Sequence, residues 1–430
     1  MSLRDRLERL EGAVKKSGSE RLVPESMDWI APLERELNVR VLQKENSFFL
    51  LKEAVHPVLN NPAFAYLQQK GFQTDCFYRL VGLEREQPLP LRRAVFFDLE
   101  TTGLAGGTGT YAFLIGVGTL ESDAIRVRQY ILPDYSHEWV LLDHLQLLFR
   151  EYPFTISFNG KTFDIPLLGN RFVLNQMENV LEEKLHIDLL HAARRIWRRV
   201  LPSCDLQQLE KEILQVERVD DIPGELIPQI FFDFIRKRDA WLLGDILEHN
   251  YHDIVNMVLL GVYLAAVAED PLQFLNSPRE IAALADYYFR RRWDEPALPL
   301  LKYLIHRSQH FPLRLKMQPF FQLAMILKRQ GKPREATEYL WRLMKQNVTH
   351  PMVIEELAKF YEHREKNYPL ALEIVERGLN RLRQMEQLDR GKVKGRYFQA
   401  LEHRRQRLRN KIARQQTGTP RHRNCWTNNG

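Results

Sequence analysis

Between about residues 91 and 268 the apolar positions fall into short runs bounded by turn signals, and the period of each run identifies an element. "AVFFDLE" (94–100), "YAFLIGVGTL" (111–120) and "AIRVRQYIL" (124–132) have the branched and aromatic density of strands. The gap "ESD" between the last two suits a hairpin. "HEWVLLDHLQLLFREY" (137–152) switches to helical spacing, "FTISFNG" (154–160) returns to a buried strand, and "FDIPLLGNRFVLNQ" is helical again. "KLHID" supplies one more strand, with helices from there to about Asp270. The expected order is three strands, helix, strand, helix, strand, helices, an α/β pattern.

The flanks read differently. "MSLRDRLERLEGAVKK" predicts an amphipathic helix with Leu3, Leu7, Leu10 and Val14 on one face, opening an accessory region (1–90) of helix and short strands that ends in "EQPLPLRR". Beyond about residue 278 every segment is helical and the pattern repeats. Leu323-Ala324 recurs as Leu357-Ala358, a spacing of 34 residues, the tetratricopeptide period. Ala336 and Ala371 are the small residues of each second helix, and "ALADYYFRRRWDEPALPLLKYLI" is a weaker earlier copy. Any helical array places small residues at its contacts, but the repeated spacing favours a degenerate tetratricopeptide-like array over 278–412. A basic tail, 413–430, is expected to be disordered. The α/β region is assigned to 91–270.

Composition bounds the function. A chain of 430 residues exceeds one core, and 44% hydrophobic with 27% charged residues is ordinary for a soluble protein. No apolar run in the sequence approaches the roughly 18 residues of a membrane span, and the N-terminus lacks a signal-peptide core. Cys76, Cys204 and Cys425 are odd in number and in no metal-ligand spacing, which points to a reducing cytoplasm and away from disulfides or zinc. A net charge of +7 permits a polyanionic partner without requiring one. The basic residues cluster in "RRIWRR" (194–199), at Arg290-Arg291-Arg292 and from Arg390 to Arg423.

Two candidate sites overlap in "FFDLETTGLAGGTGTYAFLIG". Gly107-Thr-Gly109-Thr-Tyr-Ala112 fits a loose dinucleotide fingerprint, but that motif requires a helix after the glycines. "YAFLIGVG" reads as strand, and no lysine is present for a phosphate loop. The glycines are expected to form a turn beside whatever Asp98 and Glu100 bind. These two acids share one strand face, roughly 6 to 7 Å apart, on a strand whose Val95, Phe96, Phe97 and Leu99 require burial. Paired, partly buried carboxylates repel each other and lose solvation, and divalent cations compensate both costs. Taken alone, Asp-x-Glu is equally a solvated strand end. Asp164 in "FNGKTFDIPLL" either enters the same cleft or caps the next helix. His249 and Asp253, in "EHNYHDIVNMVLLGVYL", lie four apart on one helix face, where a lone His249 is as readily a solvated residue.

Together, Asp-x-Glu on the first strand, Asn-x-x-x-Phe-Asp after the fourth and a late helical Asp resemble the DEDD exonuclease superfamily. Its ribonuclease-H-like fold has a mixed central sheet crossed by a late helix. "FDLETTGLAGGTGTYAFLIGVG", "HIDLLHAARRIWRR", "LEKEILQVERVDDIPGELIP" and "HNYHDIVNM" narrow the resemblance to the bacterial YprB-type ribonuclease-H-like proteins over most of 90–268. These also carry helical repeats after the nuclease domain. The resemblance implies Asp98, Glu100, Asp164 and Asp253 as ligands of two divalent cations, Mg2+ or Mn2+, about 3.5–4 Å apart. It implies a 3′→5′ exonuclease acting on DNA in repair and often paired with a helicase. Composition and spacing give neither polarity nor DNA over RNA.

One position departs from the pattern. The DEDD subclasses place Tyr four, or His five, before the last Asp; here His249 is four before and Glu248 five before. His249 is expected either to take a proton from the attacking water or to orient it. Tyr251 points about 200° around the helix from it, and His252 is a weaker base. Asn159, Thr101, Thr102 and Gly103 are candidate substrate contacts, although a strand end and a loop need such residues anyway. Asp188 is expected to be structural or outer-shell. Arg194, Arg195, Arg198 and Arg199 either contact phosphates or form a solvated face, with Trp197 packing. A two-metal exonuclease whose repeats bind a protein partner or guide nucleic acid is the leading reading. The alternatives are a non-catalytic nucleic-acid-binding scaffold, an RNA-processing exonuclease and, more distantly, a nicotinamide enzyme. All four acids being present argues against the scaffold.

Overall fold

The apolar runs around Asp98 become the centre of a seven-stranded sheet, β1 (Arg40–Lys44), β2 (Ser47–Pro57), β3 (Ala94–Thr101), β4 (Ala112–Leu120), β5 (Ala124–Ile131), β6 (Phe154–Ser157) and β7 (Leu185–Asp188), in the order β1-β2-β5-β4-β3-β6-β7. This computed structural model describes residues 29–84, 86–103, 109–218, 221–308, 311, 313–345, 350–388 and 395–416. The opening amphipathic helix, Gly106 and Gly107 of the glycine loop, and residues 417–430 lie outside them. The helix Gly395–Gln416 runs into the start of the expected tail.

β3, β6 and β7 are mutually parallel and the remaining pairs antiparallel, so the sheet is mixed. The three consecutive strands and the hairpin stand where the periodicity puts them; the Glu121 N–H donates to the Ala124 carbonyl at 2.9 Å. The sheet is wider than expected, because β1 and β2 come from the first ninety residues. Phe48, Phe49, Leu50 and Leu51 are all buried, and the free side of β5 gives that run a partner.

β3 is buried on both faces. Val95, Phe97 and Leu99 join a cluster that includes Phe149 of the helix Glu138–Glu151, with the Phe97 and Phe149 rings 5.4 Å apart. Phe96, Asp98 and Glu100 alternate to the other face, toward the helix Ala240–Glu269. That helix holds an 18-residue window of mean hydropathy 1.5, long and apolar enough to cross a membrane, contrary to the expectation from sequence. Of that window 72% is buried inside the fold, so its apolarity belongs to packing.

The chain divides into two compact units. One runs to Val81, then through Arg85–Leu190 and Asp205–Tyr263; the other comprises Gly82–Glu84, His191–Cys204 and the described residues from Leu264 onward. The second unit is helical, with pairs Pro278–Arg290 and Asp294–His306, Leu313–Arg329 and Pro333–Lys345, and Pro351–His363 and Tyr368–Leu388. Leu323, Ala324, Ala336, Leu357, Ala358 and Ala371 are all buried in it. The repeated residues are therefore the packing positions.

Candidate metal centre

The long helix Ala240–Glu269 reaches the acids because glycines let it. Gly116 stands opposite Asp98 in the β3–β4 register, and Gly118 opposite Phe96. A Cβ on Gly116 would lie 2.3 Å from Asn250 Oδ1 and 2.7 Å from Ile254; on Gly118 it would lie 2.8 Å from both Ile254 and Val258. From the helix side, a Cβ on Gly261 would lie 2.7 Å from the Phe96 ring. The interlock sets His249 and Asp253 beside Glu100. One ligand atom from each of these three lies within 4.8 Å of the others. The register shifts between Glu100 and Thr101, ending regular pairing just past the acids.

Asp164 is the first residue of the helix Asp164–Leu174, whose preceding cap position, Phe163, makes no side-chain cap bond. Its buried carboxylate packs over Gly160 and Ser157 instead of capping the helix. A buried polar pair backs Asp98: Gln129 donates to Asn250 Oδ1 at 3.1 Å, and Asn250 Nδ2 approaches Asp98 Oδ2 at 3.5 Å.

Electrostatics follow from crowding acids out of water. Burial, then the fields of Asp253, Asp164 and Glu100, push Asp98 well above the usual carboxylate range. Burial and Asp253 push Glu100 up to about 8 against the pull of His249, and burial with Asp188 pushes Asp164 up to about 7. Asp253 goes the other way. Burial alone would raise it, but the hydrogen bond from His249 and the charge of Arg218 hold it below its ordinary value. His249 bonds Asp221 through Nδ1 at 2.7 Å and faces Asp253 Oδ2 through Nε2 at 3.3 Å. Burial alone would lower its pKa; the bonds and fields of Asp253 and Asp221 raise it to about 9. In this state of charge His249 is therefore a donor at both nitrogens rather than a base.

Arg218 supplies the other positive charge. Its guanidinium pairs with Asp253, with Glu210 through Nε at 2.7 Å, and with Asp221 through Nη1 at 2.9 Å. Arg218 and His249 together leave Asp98, Glu100 and Asp164 uncompensated. Clustered, half-buried to buried carboxyl oxygens that would be ionised only beside a compensating charge are the donor set that hard divalent cations take, so the residues present fit a divalent cation.

The structure thus brings Glu100, His249 and Asp253 within 4.8 Å of one another, with Asp98 and Asp164 near enough for their charges to act on the group. The proposed substrate contacts are occupied with the loops. The Thr101 hydroxyl donates to the Gly103 carbonyl at 3.0 Å, and the Thr102 hydroxyl accepts from the Tyr111 N–H at 3.0 Å. Asn159 has a left-handed backbone, φ 62°, as a strand-end turn requires, and its N–H donates to Asp188. Asp188 accepts from the backbone of Asn159, Lys161 and Leu190, an organiser of the loop before Asp164. Tyr251 turns away to His56 at 3.0 Å, and His252 pairs with Glu248 at 3.0 Å. Trp197 is buried, with its indole N–H on Glu280. Sequence reasoning missed Arg218, Glu210, Asp221, Asn250 and Gln129. The only signal for the first three was the dense charge of "LEKEILQVERVDD", which carries no periodicity.

Comparison with known proteins covers this same region. A family model described as RNase_H superfamily matches residues 95–265, spanning all four acids. The chain is also 32% identical over 291 residues to the uncharacterized protein YprB of Bacillus subtilis (strain 168), an alignment covering 66% of this chain and 68% of that protein.

Proposed function

We propose that this chain, which belongs to the RNase H superfamily and within it to the family of YprB, is a two-metal-ion nuclease that hydrolyses phosphodiester bonds. Within that class the reading is a 3′→5′ exonuclease acting on DNA with a 3′ end in repair, alongside a helicase, in the cytoplasm. The tetratricopeptide-like helix pairs are read as its protein-docking module. The observation that carries the nuclease reading is the convergence of Asp98, Glu100, Asp164 and Asp253 on one buried site with too little positive charge of its own. Polarity, DNA and repair rest on the resemblance of the motifs alone.

Asp98 and Glu100 from β3, Asp164 from its helix start and Asp253 from the long helix would hold the cations. Bound there, the cations would polarise the phosphodiester and activate the attacking water. Asp221 holds His249 Nδ1 and thereby directs Nε2 into the site, where the doubly protonated ring would orient that water; cations bound to the acids would relieve the negative field that raises its pKa and so let it take the proton. Thr101, Thr102, Gly103 and Asn159 remain the proposed contacts to the terminal nucleotide, through backbone groups as well as side chains.

The test incubates the full chain with end-labelled single- and double-stranded DNA and RNA in Mg2+, Mn2+ or EDTA, beside Asp98→Ala and Asp253→Ala. Shortening that needs the metal and both acids is expected, with label release giving the polarity. Degradation in EDTA, or degradation that survives both substitutions, sinks the assignment.

A further inference from the structure

The arginines singled out in the sequence do not form a featureless solvated face. The helix Leu189–Trp197 and the turn after it carry Arg194, Arg195, Arg198 and Arg199; the helix Pro278–Arg290 brings Tyr287 and Arg290 to the same place. These residues line a cavity of about 440 Å³, every one of them within the second unit. Asp286 is the one acid in its lining, at 2.7 Å from Arg290 and 3.9 Å from Arg199, and its carboxylate also accepts from Gln318 and Gln322. The guanidinium groups of Arg194, Arg198, Arg199 and Arg290 therefore outnumber the one carboxylate in the lining, which is already shared.

We infer that this arginine cavity is a phosphate-binding subsite for the backbone of a nucleic-acid strand, separate from the metal centre. The inference rests on the reading of the substrate as nucleic acid. Arg194 and Arg198 stand one helical turn apart on the exposed side, comparable with the separation of neighbouring phosphates along a strand. Neither makes an ion pair among the described residues. The Arg195 guanidinium lies over the Tyr287 ring, 4.9 Å from its centroid, so the aromatic floor is paired with a cation. Burial lowers the Arg195 pKa, and neighbouring Arg291 adds to the effect, a cost that an incoming anion relieves.

Phosphate fits this lining better than a peptide carboxylate does. Planar guanidinium forks match phosphate oxygens in pairs, and a polyphosphate strand brings the closely spaced charges that clustered arginines match. The apolar lining is small, Ile196 and Ala283, which gives an acidic peptide little to anchor its side chains.

The test measures binding of a fluorescein-labelled single-stranded oligonucleotide to the full chain by anisotropy, in EDTA so that nothing is cut. Arg194→Gln/Arg198→Gln, which breaks no ion pair, and the triple variant adding Arg290→Gln are compared with the parent. Expected is roughly a 10- to 100-fold loss of affinity in the triple variant. The slope of log affinity against log salt should become shallower by about 0.7 for each phosphate no longer neutralised. Hydrolysis of a p-nitrophenyl nucleotide ester, which offers one phosphate rather than a strand, is expected unchanged. Parent affinity and parent salt slope in both variants overturn the inference. So does polyglutamate binding that depends on these arginines while oligonucleotide binding does not. Binding through the cavity by a chain that cuts no substrate upholds the subsite and refutes the nuclease reading; metal-dependent cutting with binding indifferent to the arginines does the reverse.

Discussion

Replacing Gly116 by alanine tests whether the acids are assembled by close approach of the long helix. The new Cβ would stand 2.3 Å from Asn250 Oδ1, 2.8 Å from its Nδ2 and 2.7 Å from Ile254 Cγ1, about 1 Å inside ordinary contact. Asn250 cannot simply swing aside, since it is fully buried and Gln129 holds its amide at 3.1 Å. Turning it away leaves a buried polar group unpaired, about 1 to 3 kcal/mol; shifting the helix instead costs about as much in overpacking. Alanine in a strand interior recovers roughly 0.5 to 1 kcal/mol relative to glycine. The net expectation is a loss of about 1 to 2 kcal/mol, or some 2 to 8 °C in Tm for a unit of this size. Asp253 lies beside Ile254 on the displaced turn, so affinity for Mn2+ should fall by roughly tenfold, about 1.4 kcal/mol. The assay is thermal melting in EDTA and in Mn2+, reading the transition that Mn2+ shifts, with calorimetric titration of the metal. Gly395→Ala, where a Cβ meets nothing within 4 Å, is the control. A Gly116→Ala protein that melts with the parent and binds Mn2+ equally well would refute the packing argument.

Two further outcomes follow from charge. Arg218→Gln strands Glu210, Asp221 and Asp253, so in EDTA the variant should lose about 3 to 5 kcal/mol, and Mn2+ should raise its Tm by more than it raises the parent's; an equal or smaller rise counts against Arg218 as the counter-ion of these acids. Glu362, fully buried, accepts from Arg407 at 2.7 and 2.8 Å and from Lys411 at 2.8 Å; burial alone would raise its pKa, but these bonds and charges hold it at about 2. A depressed carboxylate contributes stability that is complete above its unfolded value and lost as pH falls through the folded one. Glu362→Gln should therefore lower the melting temperature of the helical unit at neutral pH, and the gap to the parent should close between about pH 4.5 and pH 2; a gap undiminished at pH 2, followed by circular dichroism, would remove the ion-pair cluster as its cause.

How much of this was legible in the sequence depends on whether a feature repeats locally. Asp98 and Glu100 sit two apart on a strand, and His249 and Asp253 four apart on a helix. Each pair declares its shared face by period alone: the charge of Glu100 acts on Asp98, and His249 Nε2 lies 3.3 Å from Asp253. The packing positions of the helical unit were legible for the same reason, since Leu323-Ala324 and Leu357-Ala358 are buried as their spacing suggests. Short strands were expected somewhere in the first ninety residues, but neither their positions nor their place in the sheet, because no local pattern says that Ser47–Pro57 pairs with β5 rather than with a neighbour.

Arg218 marks the sharper limit. It lies in a stretch with neither helical nor strand period, so nothing in "VERVDD" says which acid 35 residues later it will meet. Gly116 shows the converse. Its place in a strand was readable, yet its reason appears only once the register sets it opposite Asp98 and beneath Asn250. The acids of this site are therefore local features. What holds them at bonding distance, the glycine stripe under the helix and the arginine over Asp253, is a matter of pairing between distant segments. That division predicts where substitutions act: changes at the acids should abolish the chemistry with the fold intact, while changes at Gly116 should lower stability and metal affinity together and changes at Arg218 should lower stability while strengthening the response to metal.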